Sequence, residues 1–208
     1  MKEESMAKSG DISMFTCPYC STQREGFEAL REHILADHKG SLLPEPANRI
    51  RLLINGLEHA MNVEPEWTLY HLIHDRLGMT GSKQFCDRGA CGSCTVIMDG
   101  LPVLSCMVLA IECDGRTIET VEGVARAGHP LIESYVKHHA MQCGYCTPGF
   151  VVTSKALLDR NPDPTEGEIR EALSGNLCRC GTYPQHIVAV REAARTLLKE
   201  KEDSGGER

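Results

Sequence analysis

The run Cys86-Asp87-Arg88-Gly89-Ala90-Cys91-Gly92-Ser93-Cys94, with Cys106 beyond it, decides how the chain is read. Its spacing, Cys-x4-Cys-x2-Cys-x11-Cys, is the plant-type ligand pattern of a [2Fe–2S] cluster. A loop that wraps two irons must aim backbone amides at sulfur. Gly89 and Gly92 suit that task, because glycine reaches positive φ and lets the chain pass close to a cluster. Amide hydrogen bonds to the sulfurs help set a reduction potential, roughly −400 mV for this cluster type. Zinc sites favour paired short spacings, and a CxxxxC leg is not one of their usual forms.

Working outward, the flanks of this loop read as strands. Ile50, Leu52 and Ile54 alternate with their neighbours, Asn55-Gly56 is a strong hairpin signal, and His59 to Val63 supplies the return strand. Thr68 opens a helix through Leu69, Leu72, Ile73, Arg76 and Leu77 that stops at Gly78, with Trp67 packing at its start. After the loop, Thr95–Met98, Asp99-Gly100 and Leu101–Leu104 make a second hairpin. Two hairpins around one helix predict a small mixed sheet with the helix on one face.

A second constellation follows in a helical region. Cys143-Gly144-Tyr145-Cys146 precedes Thr147-Pro148, where a helix is expected to begin with Thr147 as its cap and Pro148 at the first position. Thiolates at that end gain from the helix dipole. Cys178-Arg179-Cys180 supplies two more sulfurs ahead of the last helix. From chemistry alone both a [2Fe–2S] cluster and zinc fit these four; a thioredoxin-like redox pair lacks its βαβ context. Apolar periodicity marks four helices: Leu131 to Val136, Phe150 to Leu158, Thr165 to Leu173 with a Thr165/Glu168 capping box, and Ile187 to Leu198. Short connections between them predict a bundle.

Gly81-Ser82-Lys83-Gln84-Phe85-Cys86 through Cys94-Thr95-Val96 resembles the first cluster signature of the molybdenum hydroxylases, the family of xanthine dehydrogenase, aldehyde oxidoreductase and carbon monoxide dehydrogenase. Met141-Gln142-Cys143-Gly144-Tyr145-Cys146-Thr147-Pro148-Gly149 and Gly175-Asn176-Leu177-Cys178-Arg179-Cys180-Gly181-Thr182-Tyr183 resemble the second signature. Two departures stand out: Phe85 where glycine is usual, and Gly181-Thr182 in place of the commoner Thr-Gly order. The resemblance implies an α+β chain, a β-grasp plant-type ferredoxin domain followed by a four-helix-bundle domain, each with one [2Fe–2S] cluster. It implies an iron–sulfur subunit with no catalytic residue of its own, passing electrons from a molybdopterin-binding large subunit to a flavin (FAD) subunit or an external acceptor. By the same resemblance Cys143, Cys146, Cys178 and Cys180 hold the cluster facing the molybdopterin, Gln142 and Cys180 contact it, and Cys86, Cys91, Cys94 and Cys106 hold the outward cluster.

Ahead of this lies Cys17-x2-Cys20-x12-His33-x4-His38, the spacing of a two-cysteine, two-histidine zinc (Zn) finger. Phe15 and Leu30 stand where such a finger has core residues, while Arg24 occupies the second aromatic place and Phe27 lies three further on. The base-reading positions fall on Gly26, Ala29 and Glu32, none of which reads purines bidentately. Arg24, Arg31 and Lys39 are matched by Glu25, Glu28, Glu32 and Asp37, so a phosphate-binding surplus is missing. The segment reads as a docking module stabilised by metal, and nucleic acid is not the expected partner.

Composition agrees. Across 208 residues the net charge is −7 and aromatics are 5%, which disfavours phosphate-backbone binding and stacking platforms. Eleven cysteines exceed ordinary core use, and with no signal peptide legible the setting expected is cytoplasmic, where thiols stay reduced; export on a partner's signal stays open. No apolar run approaches membrane-spanning length. Cys113 reads as a small buried hydrophobe, and His138-His139 and the other histidines as structural. The expected divisions are a tail at 1–14, a zinc module at 15–40, a linker at 41–48, the ferredoxin domain at 49–125, the helical domain at 126–199 and a frayed tail at 200–208. The rival readings are a zinc-dependent nucleic-acid-binding or regulatory protein, and a free-standing two-cluster electron carrier.

Overall fold

The computed structural model describes residues 14–38 and 48–205. Most of the expected N-terminal tail and linker, and the last three residues, lie outside them. The chain divides into two compact units, Met1–Ala47 and Asn48–Arg208.

In the first unit β1 (Met14–Thr16) pairs antiparallel with β2 (Gln23–Glu25), and α1 (Phe27–Asp37) follows. Its interior is slight: Leu30, Cys17 and His33 are buried, while Phe15 and Phe27 meet edge to face with ring centroids 6.2 Å apart and both stay exposed. A core this small cannot hold 25 described residues by apolar burial alone.

The second unit begins as read from sequence. In β3 (Arg49–Ile54) Ile50, Leu52 and Ile54 point inward, and β4 (Leu57–Asn62) returns after Asn55-Gly56, whose φ values of 52° and 80° make a tight hairpin turn. The return strand therefore starts two residues earlier than expected. α2 (Leu69–His71) is capped by the Thr68 hydroxyl and continues as a π-helical turn over Leu72–Arg76. It lays Leu69, Leu72 and Ile73 on a core with Ile50, Leu52, Ile54, Val96 and Ile118. Trp67 packs against this core, with the Arg76 guanidinium 4.1 Å above its ring. β5 (Thr95–Met98) and β6 (Leu101–Leu104) form the second hairpin.

A strand absent from the sequence reading joins the halves. β7 (Thr117–Glu119) runs parallel to β3 and antiparallel to β5, giving the order β4-β3-β7-β5-β6. It is too short for alternation to show. Side chains in the two hairpin turns fix it: Asp99 Oδ1 accepts from the Thr117 amide at 2.9 Å, and Asn55 exchanges hydrogen bonds with the amide and hydroxyl of Thr120.

The helices follow: α3 (Val121–Arg126), also unforeseen, α4 (Pro130–Lys137), α5 (Thr147–Arg160), α6 (Glu166–Ala172) and α7 (Tyr183–Gly205). Leu131, Tyr135, Phe150, Leu157, Ile169, Ile187 and Val190 fill the space between them. The Thr165/Glu168 capping box forms as expected. Two expectations change. α5 is capped by Cys146 rather than Thr147, because the Cys146 carbonyl already accepts the Phe150 amide, which moves Pro148 to the second helical position. α7 runs on to Gly205 instead of fraying at Lys199, since Lys199-Glu200-Lys201-Glu202 are good helix formers and glycine comes only at Gly205. Among the described residues no helix is long and apolar enough to cross a membrane.

Candidate metal centres

The loop between α2 and β5 is closed at its base by the Lys83 amide donating to the Ser93 carbonyl at 3.1 Å. Gly89 and Gly92 take φ values of 71° and 73°, as their proposed role requires. Inside the loop the Ala90 amide points at Cys86 Sγ, 3.3 Å away. Amides of Arg88, Ala90 and Cys91 and the Cys91 thiol pull the Cys86 thiol down to about 7 against a slight desolvation. Cys106 reaches the loop from the turn after β6 and lies against Cys94; burial, with that neighbour, pushes its thiol up to about 11. The first four thiols therefore act on one another: Cys91 on Cys86, and Cys94 and Cys86 on Cys106.

The second four do the same from two loops. Burial, then the neighbouring Cys178 thiol, pushes Cys146 up to about 12. Burial would also raise Cys178, but the hydroxyl and amide of Thr182 bring it down to about 7. The Thr182 hydroxyl is 3.0 Å from Cys178 Sγ and 3.1 Å from Nε2 of His186. Cys180 meets the amide of Cys143, which eases its ionisation, and the Cys143 thiol, which opposes it; the balance holds its proton more tightly. These four thiols act on one another too: Cys178 and Cys143 on Cys146, and Cys143 and Cys178 on Cys180.

One zinc ion needs four sulfurs mutually near ~3.8 Å, from bonds of about 2.3 Å in a tetrahedron. The described residues hold two groups in which three or more ligand atoms lie within 4.8 Å of one another: Cys17, Cys20, His33 and His38, and Cys146 and Cys178 with His186; neither cysteine quartet is gathered that tightly as a whole. Four thiols from one neighbourhood would suit a [2Fe–2S] group, which takes four thiolate ligands. Buried thiols that resist ionisation also need a cation nearby to become thiolates. The donor sets fit [2Fe–2S] groups.

The two loops are stitched together. The Leu177 amide donates to the Cys91 carbonyl at 2.9 Å, Asn176 Nδ2 to the Gly92 carbonyl at 3.0 Å, and the Tyr145 hydroxyl to the Gln84 carbonyl at 2.6 Å. A Cβ on Gly92 would lie 2.6 Å from the Gly175 carbonyl, and one on Gly149 would lie 2.3 Å from the Gly92 carbonyl. Both glycines exist so that one backbone can cross another. Where the loops meet, a cleft of about 740 Å³ is lined by Phe85, Tyr145, Leu177 and Tyr183 beside Cys143, Cys146 and Cys178. Cys180 is exposed, and so is Gln142, one residue ahead of exposed Cys143.

In the N-terminal unit Cys17, Cys20, His33 and His38 bring one ligand atom each to within 4.8 Å of the others. Cys20 Sγ lies 3.1 Å from His33 Nε2, and Asp37 holds the far side of that ring through Nδ1 at 2.7 Å. Thr22, chiefly, and the nearby His38 and His33 rings pull the Cys20 thiol down to about 6. His38 Nε2 is buried with no hydrogen-bond partner. Two sulfurs, two ring nitrogens, one of them orphaned, and a carboxylate behind one ring fit the donor set that a zinc ion takes.

The remaining residues behave mostly as read. Cys113 is fully buried, its thiol pushed up to about 11 by burial and its Sγ 3.5 Å from the Leu109 carbonyl. His129 caps α4 through Nδ1, and His138 pairs with Glu192. His186 does not: it is fully buried, stacked on Phe150 at 3.9 Å, with Nδ1 unpartnered, and burial lowers its pKa to about 4. Sequence carried no sign of it beyond the residue type.

Residues 120–191 match the [2Fe–2S] binding domain family. The chain is 49% identical over 146 residues to the small FeS subunit of nicotinate dehydrogenase of Eubacterium barkeri, covering 69% of this chain and 93% of that one. It is 35% identical to the iron–sulfur-binding subunit of Escherichia coli K12 aldehyde oxidoreductase, over 70% of this chain and 71% of the relative. Among solved structures, quinoline 2-oxidoreductase of Pseudomonas putida 86 superimposes with a TM-score of 0.66 at 44% identity, covering 71% of this chain and 96% of the other. Aldehyde oxidoreductase of Desulfovibrio gigas gives 0.70 at 38% identity, over 73% of this chain and 17% of the other. Likeness over nearly the whole length of the small subunits, joined to eight cysteines gathered by fours, shows that the chain belongs to the small, electron-transferring iron–sulfur subunits of the molybdenum hydroxylase family, whose [2Fe–2S] clusters serve multisubunit oxidoreductase complexes.

Proposed function

We propose that Cys86, Cys91, Cys94 and Cys106 hold one [2Fe–2S] cluster and Cys143, Cys146, Cys178 and Cys180 the other. A bound [2Fe–2S] group accepts and releases one electron at a time. The mutual influence of the thiols within each quartet supports the reading, and so does the stitching of one ligand loop to the other. Cys178 is one residue from Leu177, whose amide bonds to the Cys91 carbonyl, so a short bonded path links the two ligand sets. The first quartet lies mostly sealed in its loop. The second opens beside the cleft; Gln142 and Cys180, both exposed, would meet the molybdopterin of a separate large subunit, with a flavin subunit or an external acceptor on the outward side. The domains are then the ferredoxin unit at 49–125 and the helical unit at 126–199.

We further propose that Cys17, Cys20, His33 and His38 hold zinc, in a module at 15–40. The donor geometry and the missing core support this together: binding free energy at such a site is folding free energy. Metal analysis of the purified chain tests both readings. About four iron and one zinc per chain are expected, with visible charge-transfer absorption and two paramagnetic signals after dithionite. Zinc alone in a colourless protein would overturn the cluster assignment. Mild chelation should strip the zinc and unfold residues 15–38 while iron and the remaining helicity persist; a unit unmoved by zinc loss would refute the second reading.

A further inference from the structure

Cys178 Sγ, Thr182 Oγ1 and His186 Nε2 form a chain at 3.0 and 3.1 Å, anchored on one turn at the start of α7. Taking Cys178 as a cluster ligand, which rests on the reading above, its sulfur is a thiolate and can only accept. The Thr182 hydroxyl must then donate its single proton to Cys178, and its oxygen must receive from His186. The ring therefore carries its proton on Nε2. That choice agrees with the other nitrogen: Nδ1 is buried without a partner, so a proton there would be stranded, whereas a bare lone pair costs less. The ring cannot turn away, since it is fully buried and stacked nearly parallel on Phe150, 9° between planes, with Tyr135 at 5.4 Å. The Thr182 amide adds a second contact to the same sulfur at 3.5 Å. The first quartet has no hydroxyl donor at any sulfur among its described hydrogen bonds.

We propose that His186 is a positioning residue: by donating to Thr182 it locks the hydroxyl onto Cys178 and so raises the reduction potential of the helical-domain cluster above the value its amides alone would set. Hydrogen bonds to cluster sulfurs stabilise the reduced, more negative state. The direction follows: electrons arriving at the partner-facing site are held there more readily than in a site lacking the relay.

The test is a redox titration of the full, iron-loaded chain followed by paramagnetic resonance, in which the two reduced clusters are read as separate signals. Two signals and about four iron in the wild type establish the ligand assignment independently. Thr182→Val should lower one midpoint only, so that at fixed solution potential the reduced-to-oxidised ratio of that cluster falls about tenfold, 59 mV for a one-electron couple. His186→Phe, which keeps the stack and loses the donor, should move the same signal the same way by about threefold. Thr182→Ser and His186→Gln, which restore the hydroxyl and an N–H donor, should return it to the wild-type value. An unmoved midpoint in an iron-replete Thr182→Val protein, or equal movement of both signals, overturns the proposal. Should Thr182→Val fail to hold iron, His186→Phe decides the matter, an unmoved midpoint again being the refuting result.

Discussion

In the first quartet Cys91, Cys94 and Cys106 are buried and Cys86 is half-buried; in the second only Cys178 is buried, and Cys143 and Cys180 stand exposed. The first quartet is thus mostly enclosed, three sulfurs on one continuous loop and Cys106 from the turn after β6, while the second is assembled from two separated loops, open on one side. An enclosed site sets its properties with its own amides. An open site can be altered by whatever docks on it, and it borrows support from side chains such as Thr182 and His186. The contrast supports an outward-facing role for the first quartet and a partner-facing role for the second without reference to sequence spacing.

The largest expected effect strikes the point where the two sites lean on each other. Gly92→Ala combines a φ of 73° with backbone 2.6 Å from the new Cβ. We expect a cost of about 2–4 kcal/mol and loss of iron from both quartets, measured by melting temperature and iron content. Gly100→Ala is the control, with a φ of 82° and nothing within 4 Å. It should cost only ~1 kcal/mol and spare the iron. Equal behaviour of the two variants would show that the crossing of loops is dispensable.

Next comes the open side. Gln142→Ala in the assembled complex should slow reduction of the clusters by substrate about tenfold, the equivalent of one lost hydrogen bond, with iron content unchanged. Loss of iron would make the residue structural, and an unchanged rate would separate the exposed face from the partner.

The smallest effect lies away from both quartets. Glu192 on α7 accepts from Lys137 and His138 at the end of α4, and these contacts hold its carboxyl below the usual range. A depressed carboxylate contributes stability that is present above the unfolded-state value near ~4.3 and is lost as pH falls through the lower folded value. Glu192→Gln should therefore melt slightly below wild type at neutral pH, with the gap closing in acid; a gap that persists there would assign the effect to packing.

Much of the molecule was legible in order along the chain. The first quartet could be read because its four cysteines fall in one short segment, where ligand spacing nearly dictates loop geometry. The finger-like unit was legible for the same reason. β7 and α3 were not, because three strand residues and a six-residue helix carry no usable period and are held by Asp99 and Asn55 from distant turns. Cys146 as helix cap and the run of α7 to Gly205 are local outcomes that competing local signals obscured.

Residue type and spacing, with the resemblance they carry, set the chemistry to be expected: which sulfurs belong together, what metal they suit, and that the chain carries electrons within an oxidoreductase complex. They could do so because ligand identity is a property of side chains counted along the backbone. Only the tertiary structure decided which quartet is enclosed and which open, why Gly92 and Gly149 must lack a Cβ, and that a histidine with no metal spacing reaches Cys178 through Thr182. Those are relations between segments far apart in the chain, 84 residues for Gly92 and Asn176, and distance across a folded interior is not written in the order of the residues.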